Sequence, residues 1–385
     1  MTPIFDVIIV GAGSVGVPLS MVLSMRNIRV LVIERGHSIG QGQNKTAIGG
    51  IRATHSVPAK IKTSQISLNI FSTWQADYGE DIHWQKGGYC FPAYTSETES
   101  NLKGLLKVQK SYGLNIDWLG SKELKNIVPG INTDGLLGGT FSPDDGTASP
   151  LMSINAFYNM ARKYGAIFKF NERIEKIIMR NGCIYGVKTN KQEYAAPVLA
   201  NCAGAYAREL GKLAEINVPV FPESHEAGVT EPVQPFFKAM VVDLRKTLGV
   251  ENFYFYQNSG GHIIFCLTPE NTISGTNTIS TSEFLPIAAQ RLAGTVPRLR
   301  NVKIRRIWRG LYPMTPDGMP IIDRVREIKG LYMAVGMCGQ GFMLGPGAAM
   351  ILADMIMQSP PSLEPKLLES FSLYRSFESA FEKLK

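Results

Sequence analysis

"VIIVGAGSVGVPLS", residues 7–20, decides the fold. Residues 5–10 (FDVIIV) are continuously apolar, as a parallel strand buried on both faces must be. Gly11, Gly13 and Gly16 follow in GxGxxG order around Ala12, Ser14 and Val15, and an apolar helix (VPLSMVLSMRN) continues the chain. In such a turn Gly11 permits the tight bend, Gly13 lets the backbone approach a pyrophosphate, and Gly16 lets helix and strand pack closely. A second apolar run (IRVLVIER) reaches Glu34, placed to accept hydrogen bonds from ribose hydroxyls, with Arg35 next to it. The helix N-terminus stabilises phosphate charge. Strand, turn, helix and acidic strand end together predict a Rossmann dinucleotide site, and the motif by itself suits NAD and FAD alike.

The remaining chain separates the two. Residues 36–56 (GHSIGQGQNKTAIGGIRATHS) are polar and glycine-rich, too irregular for the second βαβ unit an NAD domain would continue with. Residues 172–207 predict two short strands around an Asn-Gly turn, a third strand, and an apolar strand closing on the small residues of NCAGA. This meander resembles the FAD-binding half of glutathione-reductase-like flavoproteins. Near the other end, residues 334–350 (AVGMCGQGFMLGPGAAM) read as strand, glycine turn and helix. In that fold such a helix aims its N-terminus at the pyrimidine edge of the flavin, where its dipole stabilises the negative charge of the reduced ring. Gly336, Gly339 and Gly341 would give the close approach, with Gln340, Phe342 and Met343 beside them, so both turns would hold one FAD.

Seven segments, GAGSVGVPLS…VIERG, GGIRATHS, YGEDIHWQKGGYCF, SPDDGTASP, HEAGVTEPV, WRGLYPMTPDGMPIID and GMCGQGFMLGP, together resemble the D-amino-acid oxidase type of FAD enzymes over nearly the whole chain. Within that group the chain is most similar to the FAD-bearing β subunits of heterotetrameric sarcosine oxidase and of archaeal L-proline dehydrogenase. The resemblance implies oxidation of a primary or secondary amino acid at its C–N bond, with hydride passing to flavin N5. It extends the cofactor contacts to Lys45, Thr46, Gly49, Gly50, Ile51, Ile174, Ala203, Gly204 and Gly310. It gives Arg52 the substrate carboxylate, a role suited to a fixed, always charged, bidentate guanidinium. Tyr254 and Tyr256 alternate on one strand, a pattern that by itself more often means simple packing, and the resemblance makes both candidates for an aromatic substrate box. Tyr312 stands where glycine oxidase has a carboxylate-binding arginine, which shifts that recognition onto Arg52. Hydride transfer needs a neutral amine, and His55, His225 and His262 are candidate proton acceptors.

Three departures qualify the resemblance. Gly310 stands where monomeric sarcosine oxidase attaches FAD through cysteine, so FAD is expected to be non-covalent. Pro150 stands where heterotetrameric sarcosine oxidase attaches FMN through histidine, so any FMN would bind reversibly at a subunit interface. The strand GGHIIFC carries no lysine to promote reaction with oxygen, which favours FMN, a quinone or another acceptor.

Length and composition bound the rest. A chain of 385 residues suits two joined domains in an α/β arrangement. The expected FAD-binding domain comprises residues 1–83, 141–215 and 305–385, and the β-rich substrate domain, with two helical stretches, residues 84–140 and 216–304. The final residues from Ser362 read as a partly amphipathic helical tail. The net charge is +8, yet the densest basic run, residues 303–309 (KIRRIWR), alternates with apolar residues as a half-buried strand does, so nucleic acid is not an expected partner. Five scattered cysteines without a CxxC pair argue against a metal centre or disulfide framework. No apolar run reaches a membrane span, Asp6 and the missing basic leader argue against a signal peptide, and a cytoplasmic protein is expected. A homo-oligomer or a second subunit both fit. Two other functions stay open: FAD-dependent oxidation of a hydroxy compound such as a 2-hydroxy acid or glycerol 3-phosphate, and a non-catalytic assembly subunit.

Overall fold

In the computed structural model, which describes residues 3–378 and 382–384, the first apolar run forms the strand Val7–Val10 and the turn opens into the helix Gly16–Met25. Val7–Val10 lies parallel between Val30–Ile33 and Val198–Asn201. Ile167–Lys169 extends the sheet beyond Val30–Ile33, and Leu331–Val335 beyond Val198–Asn201, both in parallel. Ile321–Arg324 closes that edge antiparallel, giving six strands drawn from both ends of the chain. The continuous hydrophobicity has its cause here, because Val7 to Ile9 and Val30 to Ile33 are all 2% exposed or less. Helices Gly16–Met25, Pro58–Tyr78, Pro150–Lys163 and Gly341–Met357 cover one face. The meander Ile174–Arg180, Cys183–Thr189 and Glu193–Ala195 packs against the other through Ile177, Val187 and Tyr194.

A second, nine-stranded sheet stands beside the first. Its centre runs from Phe221–Pro232 through His262–Pro269, Val250–Gln257 and Met240–Asp243 to Tyr89–Ala93, with Gly138–Ser142 and Asp117–Gly120 beyond. The strand Ile304–Met314 pairs with Phe221–Pro232 and carries the chain back towards the six-stranded sheet. In the basic run, Arg305 and Arg306 are exposed on this strand, whereas Arg309 is buried and donates to the Ile279 carbonyl at 2.8 Å.

Two expectations change. Residues 84–140 and 216–304 carry three α-helices among the described residues, Ser96–Ser111, Ser121–Ile127 and Phe284–Thr295, where the sequence suggests two. The extra one spans only seven residues, too few to show a period, and is started by Glu123 accepting from the Gly120 N–H at 2.7 Å. Among the described residues the tail is helical only at Pro365–Leu368 and in a 3₁₀ turn, Glu369–Phe371. Beyond that, the backbone N–H of Leu373 and the hydroxyl of Ser372 donate to Asp323 (2.9 and 2.7 Å), and Arg375 pairs with Asp317 at 2.7 Å. These side chains tie the chain down in turns instead of a helix. Residues 379–381 and 385, part of the expected helix, lie outside the described residues. Among the described residues no helix is long and apolar enough to cross a membrane.

A two-residue ladder joins the GGIRATHS and SPDDGTASP segments, with Gly50 opposite Thr147 and Ile51 opposite Gly146. Asp145 fixes it by accepting from the Ala53 N–H (2.8 Å) and the Thr54 hydroxyl (2.6 Å). Burial pushes the Asp145 carboxyl up to about 6, against the pull of those bonds and of nearby Arg52. The folded protein therefore holds this proton more tightly than the unfolded chain does. The associated stability is complete below the ordinary aspartate range, falls as pH rises from about 4 to 6, and is constant above. The change amounts to about 3 kcal/mol. Urea unfolding at pH 4 to 7 should show this slope, and Asp145→Asn should remove it.

Candidate active site

A cavity of about 1960 Å³ runs between the two sheets and is lined by both glycine turns. At its first end, Gly11 holds φ +104°, and a Cβ there would stand 2.6 Å from the Cys202 carbonyl oxygen, so only glycine closes this turn. Gly13 differs. A Cβ on it would meet nothing within 4 Å, and the backbone lies bare to the cavity beside Ser14 and Val15. Val15, at the N-cap of Gly16–Met25, provides no side-chain cap for the first turn. Glu34 bridges the turn, its carboxylate accepting from Ala12 N–H at 2.8 Å and Gly36 N–H at 2.7 Å. Arg35 stacks 3.4 Å above the Tyr206 ring, and Ile174, Ala203 and Gly204 complete this wall.

Lys45, Thr46, Gly49 and Gly50 of the irregular segment also line the cavity. Gly310 belongs here too, since a Cβ on it would collide with the Thr46 hydroxyl at 2.3 Å. The late turn brings Gly339, Gln340, Gly341, Phe342 and Met343 to the same cavity. Gln340 caps Gly341–Met357 without a side-chain hydrogen bond, and its buried Oε1 has no protein partner. Bare backbone at Gly13, two helix starts without side-chain caps and an orphaned amide oxygen fit a bound FAD spanning both turns.

The large sheet contributes the facing wall through strand register. Tyr254 pairs with Cys266, Cys266 with Ala227, and two residues away His225 pairs with Gly310. Cross-strand partners share a face, so His225, Tyr254, Cys266, Gly310 and Tyr312 all line the cavity. His225 stacks on Tyr312 with centroids 3.9 Å apart and planes at 15°. The Tyr254 and Tyr312 hydroxyls share a 2.5 Å hydrogen bond. Burial drives both phenols well above their ordinary range, so they stay neutral. Neither ring nitrogen of the buried His225 has a hydrogen-bond partner, although Glu223 approaches Nε2 at 3.8 Å. Arg52 lines the same cavity and donates to the carbonyls of Thr54 and Leu384.

Seven residues singled out from the sequence lie outside the cavity lining: Ala12, Gly16, Ile51, His55, Tyr256, His262 and Gly336. Gly16 and Gly336 serve packing, against the Gly11 carbonyl and Thr315 respectively. Tyr256 shares a face with Tyr254 but spends its hydroxyl on the Ile48 carbonyl at 2.7 Å. His55 is wholly buried behind Arg52, with Nε2 on the Ser64 hydroxyl at 2.9 Å. Burial, with Arg52 and Lys60 alongside, holds it well below its ordinary range, as a neutral structural group. His262, bound to the Thr230 carbonyl at 2.8 Å, also lies off the cavity. Conversely, the sequence did not single out Asn44, which accepts from the Ser14 hydroxyl at 3.0 Å and donates to the Pro150 carbonyl at 2.9 Å. Nor did it flag Lys60, Glu382 or Leu384, whose partners are distant in the chain.

The family described as FAD dependent oxidoreductase (DAO) matches residues 6–355. Glycine oxidase of Geobacillus kaustophilus is 24% identical over 97% of this chain and 98% of its own length. Sarcosine oxidase subunit beta of Rhizobium meliloti is 24% identical over 98% of this chain and 90% of its own. Other relatives are longer, and the chain spans 40% to 45% of their length. Among solved structures, L-proline dehydrogenase from P. horikoshii superposes with a TM-score of 0.91 at 27% identity, covering 99% of this chain and all of that one. The two glycine turns, the Rossmann sheet and a family match across nine-tenths of the sequence lead to one assignment: the chain belongs to the DAO family of FAD-dependent oxidoreductases.

Proposed function

We propose that this enzyme oxidises the C–N bond of a small, secondary amino acid such as L-proline or sarcosine. The observation that carries the reading is a juxtaposition in one cavity: the Arg52 guanidinium, the paired Tyr254 and Tyr312 hydroxyls, and His225 with no hydrogen bond to either ring nitrogen, all beside the late glycine turn. A Cβ on Gly339 would fall 2.3 Å from the Tyr312 ring, so the turn and the aromatic wall are in direct contact. FAD, when bound, supplies the acceptor for the substrate's hydride. Arg52 binds the carboxylate and fixes its orientation. His225 takes the ammonium proton at a ring nitrogen, leaving the neutral amine that hydride transfer requires. The neutral Tyr254–Tyr312 pair closes the pocket against water and offers hydroxyls that a change of pH near neutrality leaves unchanged.

The division into a flavin domain (1–83, 141–215, 305–385) and a substrate domain (84–140, 216–304) belongs to the same proposal. So does non-covalent FAD, given Gly310 in contact with Thr46. The lysine-free strand His262–Pro269 favours an acceptor other than oxygen, FMN or a quinone, and the relative named as a subunit favours a hetero-oligomer over a homo-oligomer. Anaerobic mixing should bleach the flavin's visible band with L-proline or sarcosine, faster than with glycine. Bleaching by glycerol 3-phosphate or a 2-hydroxy acid instead, or a yellow protein inert to the whole panel, would reject the amine reading.

A further inference from the structure

The arginine assigned to the substrate carboxylate already has an occupant. Leu384 places its carbonyl on Arg52 Nη2 and its side chain, 3% exposed, in the apolar cluster of Tyr89, Phe91, Met240 and Tyr256, against which Tyr254 also packs. An acceptor oxygen on the guanidinium and a branched hydrocarbon among aromatic rings are the two halves of an amino-acid substrate. The residue before it, Lys383, donates its N–H to the Ser56 hydroxyl at 2.8 Å. Glu382 supplies the anchor. Its Oε1 accepts from the Ser56 N–H (3.0 Å), the Ser56 hydroxyl (2.7 Å) and the Leu384 N–H (2.9 Å). Its Oε2 stands 3.4 Å from the ammonium of fully buried Lys60. All three residues line the same cavity as Arg52 and Gly339.

We propose that residues 382–384 are an internal competitor for the carboxylate subsite, displaced from Arg52 when substrate binds. The proposal rests on the reading of Arg52 as the carboxylate binder. A peptide carbonyl offers one neutral acceptor, whereas a carboxylate offers two charged ones to the same fork, so substrate prevails. The segment therefore weakens binding without blocking it, raising the apparent Kd in proportion to its own occupancy of Arg52. Glu382 stays on Lys60 and Ser56 as the hinge about which Leu384 swings out.

The test uses flavin-loaded full-length protein, titrated with pyrrole-2-carboxylate, a non-oxidisable carboxylate, while the perturbation of flavin absorbance is followed. Deleting residues 382–385 should lower its Kd about tenfold. Leu384→Gly, which keeps the Glu382 anchor, should lower it by a smaller factor. In the wild-type chain the carboxylate should speed carboxypeptidase trimming at the C-terminus, followed by intact mass. An unchanged or raised Kd in both variants, or trimming indifferent to the carboxylate, overturns the proposal. If the deletion fails to fold, the point variant and the trimming assay still decide. Arg52→Lys in the same titration separates the two ideas. A wild-type Kd for that variant removes Arg52 from carboxylate binding altogether, while a weakened one beside an inert tail deletion sinks only the competitor.

Discussion

Valine at position 13 should yield a folded, colourless protein. Of the three glycines in the first turn, Gly13 alone has room for added bulk, for a Cβ there has open space to 4 Å. The substitution therefore costs the apoprotein little, and its melting temperature should match that of flavin-free wild type. Flavin is a different matter, since the side chain would project into the space that backbone N–H groups need for the pyrophosphate. Losing two charge-assisted contacts costs about 3 kcal/mol or more, roughly two orders of magnitude in Kd. Absorbance near the flavin band and a flavin titration measure the loss. Gly11→Val is the contrast, because φ +104° and the Cys202 carbonyl at 2.6 Å make that change unfold the turn itself. A yellow Gly13→Val protein with wild-type affinity would mean that no phosphate lies there.

Arg52→Ala is expected to lower kcat/KM for L-proline by about 1.5–3 kcal/mol, roughly 10- to 150-fold. Because the carboxylate is held before and during hydride transfer, most of the loss should fall on KM. The same variant should oxidise pyrrolidine, which has no carboxylate, at the wild-type rate. This pair of substrates separates lost recognition from general damage, a real concern for a side chain 4% exposed with two carbonyl partners. Equal losses on both substrates would make Arg52 a structural residue.

Much of this site was legible as local chemistry. The two glycine turns, the acidic strand end and the strand parity of Tyr254 are all properties of short segments. The six-stranded sheet follows from apolar runs that demand cover on both faces. What stayed hidden depends on partners far away in sequence. Tyr254 and Tyr256 are equivalent by alternation, and only the Ile48 carbonyl takes one of them off the cavity. His55 follows Arg52 by three residues, but Ser64, one helical segment later, fixes it as a buried neutral group. Lys60 and Glu382 are unremarkable charges until a contact across more than three hundred residues buries them together. Residues 372–378 depart from the expected helix because Asp317 and Asp323, both remote, take the donors of Ser372, Leu373 and Arg375.

The sheet that joins both ends of the chain also governs how the molecule comes off the ribosome. Val7–Val10 needs Val198–Asn201 on one flank, which in turn needs Leu331–Val335. At cellular synthesis speeds of about 5–20 residues per second, the first strand waits roughly 15 to 65 s for the sheet to be completed. During that interval a fully apolar edge stands open, inviting pairing with neighbouring nascent chains. Yield of intact enzyme should therefore depend on holdase chaperones and on slow expression at low temperature more than on the stability of the finished fold.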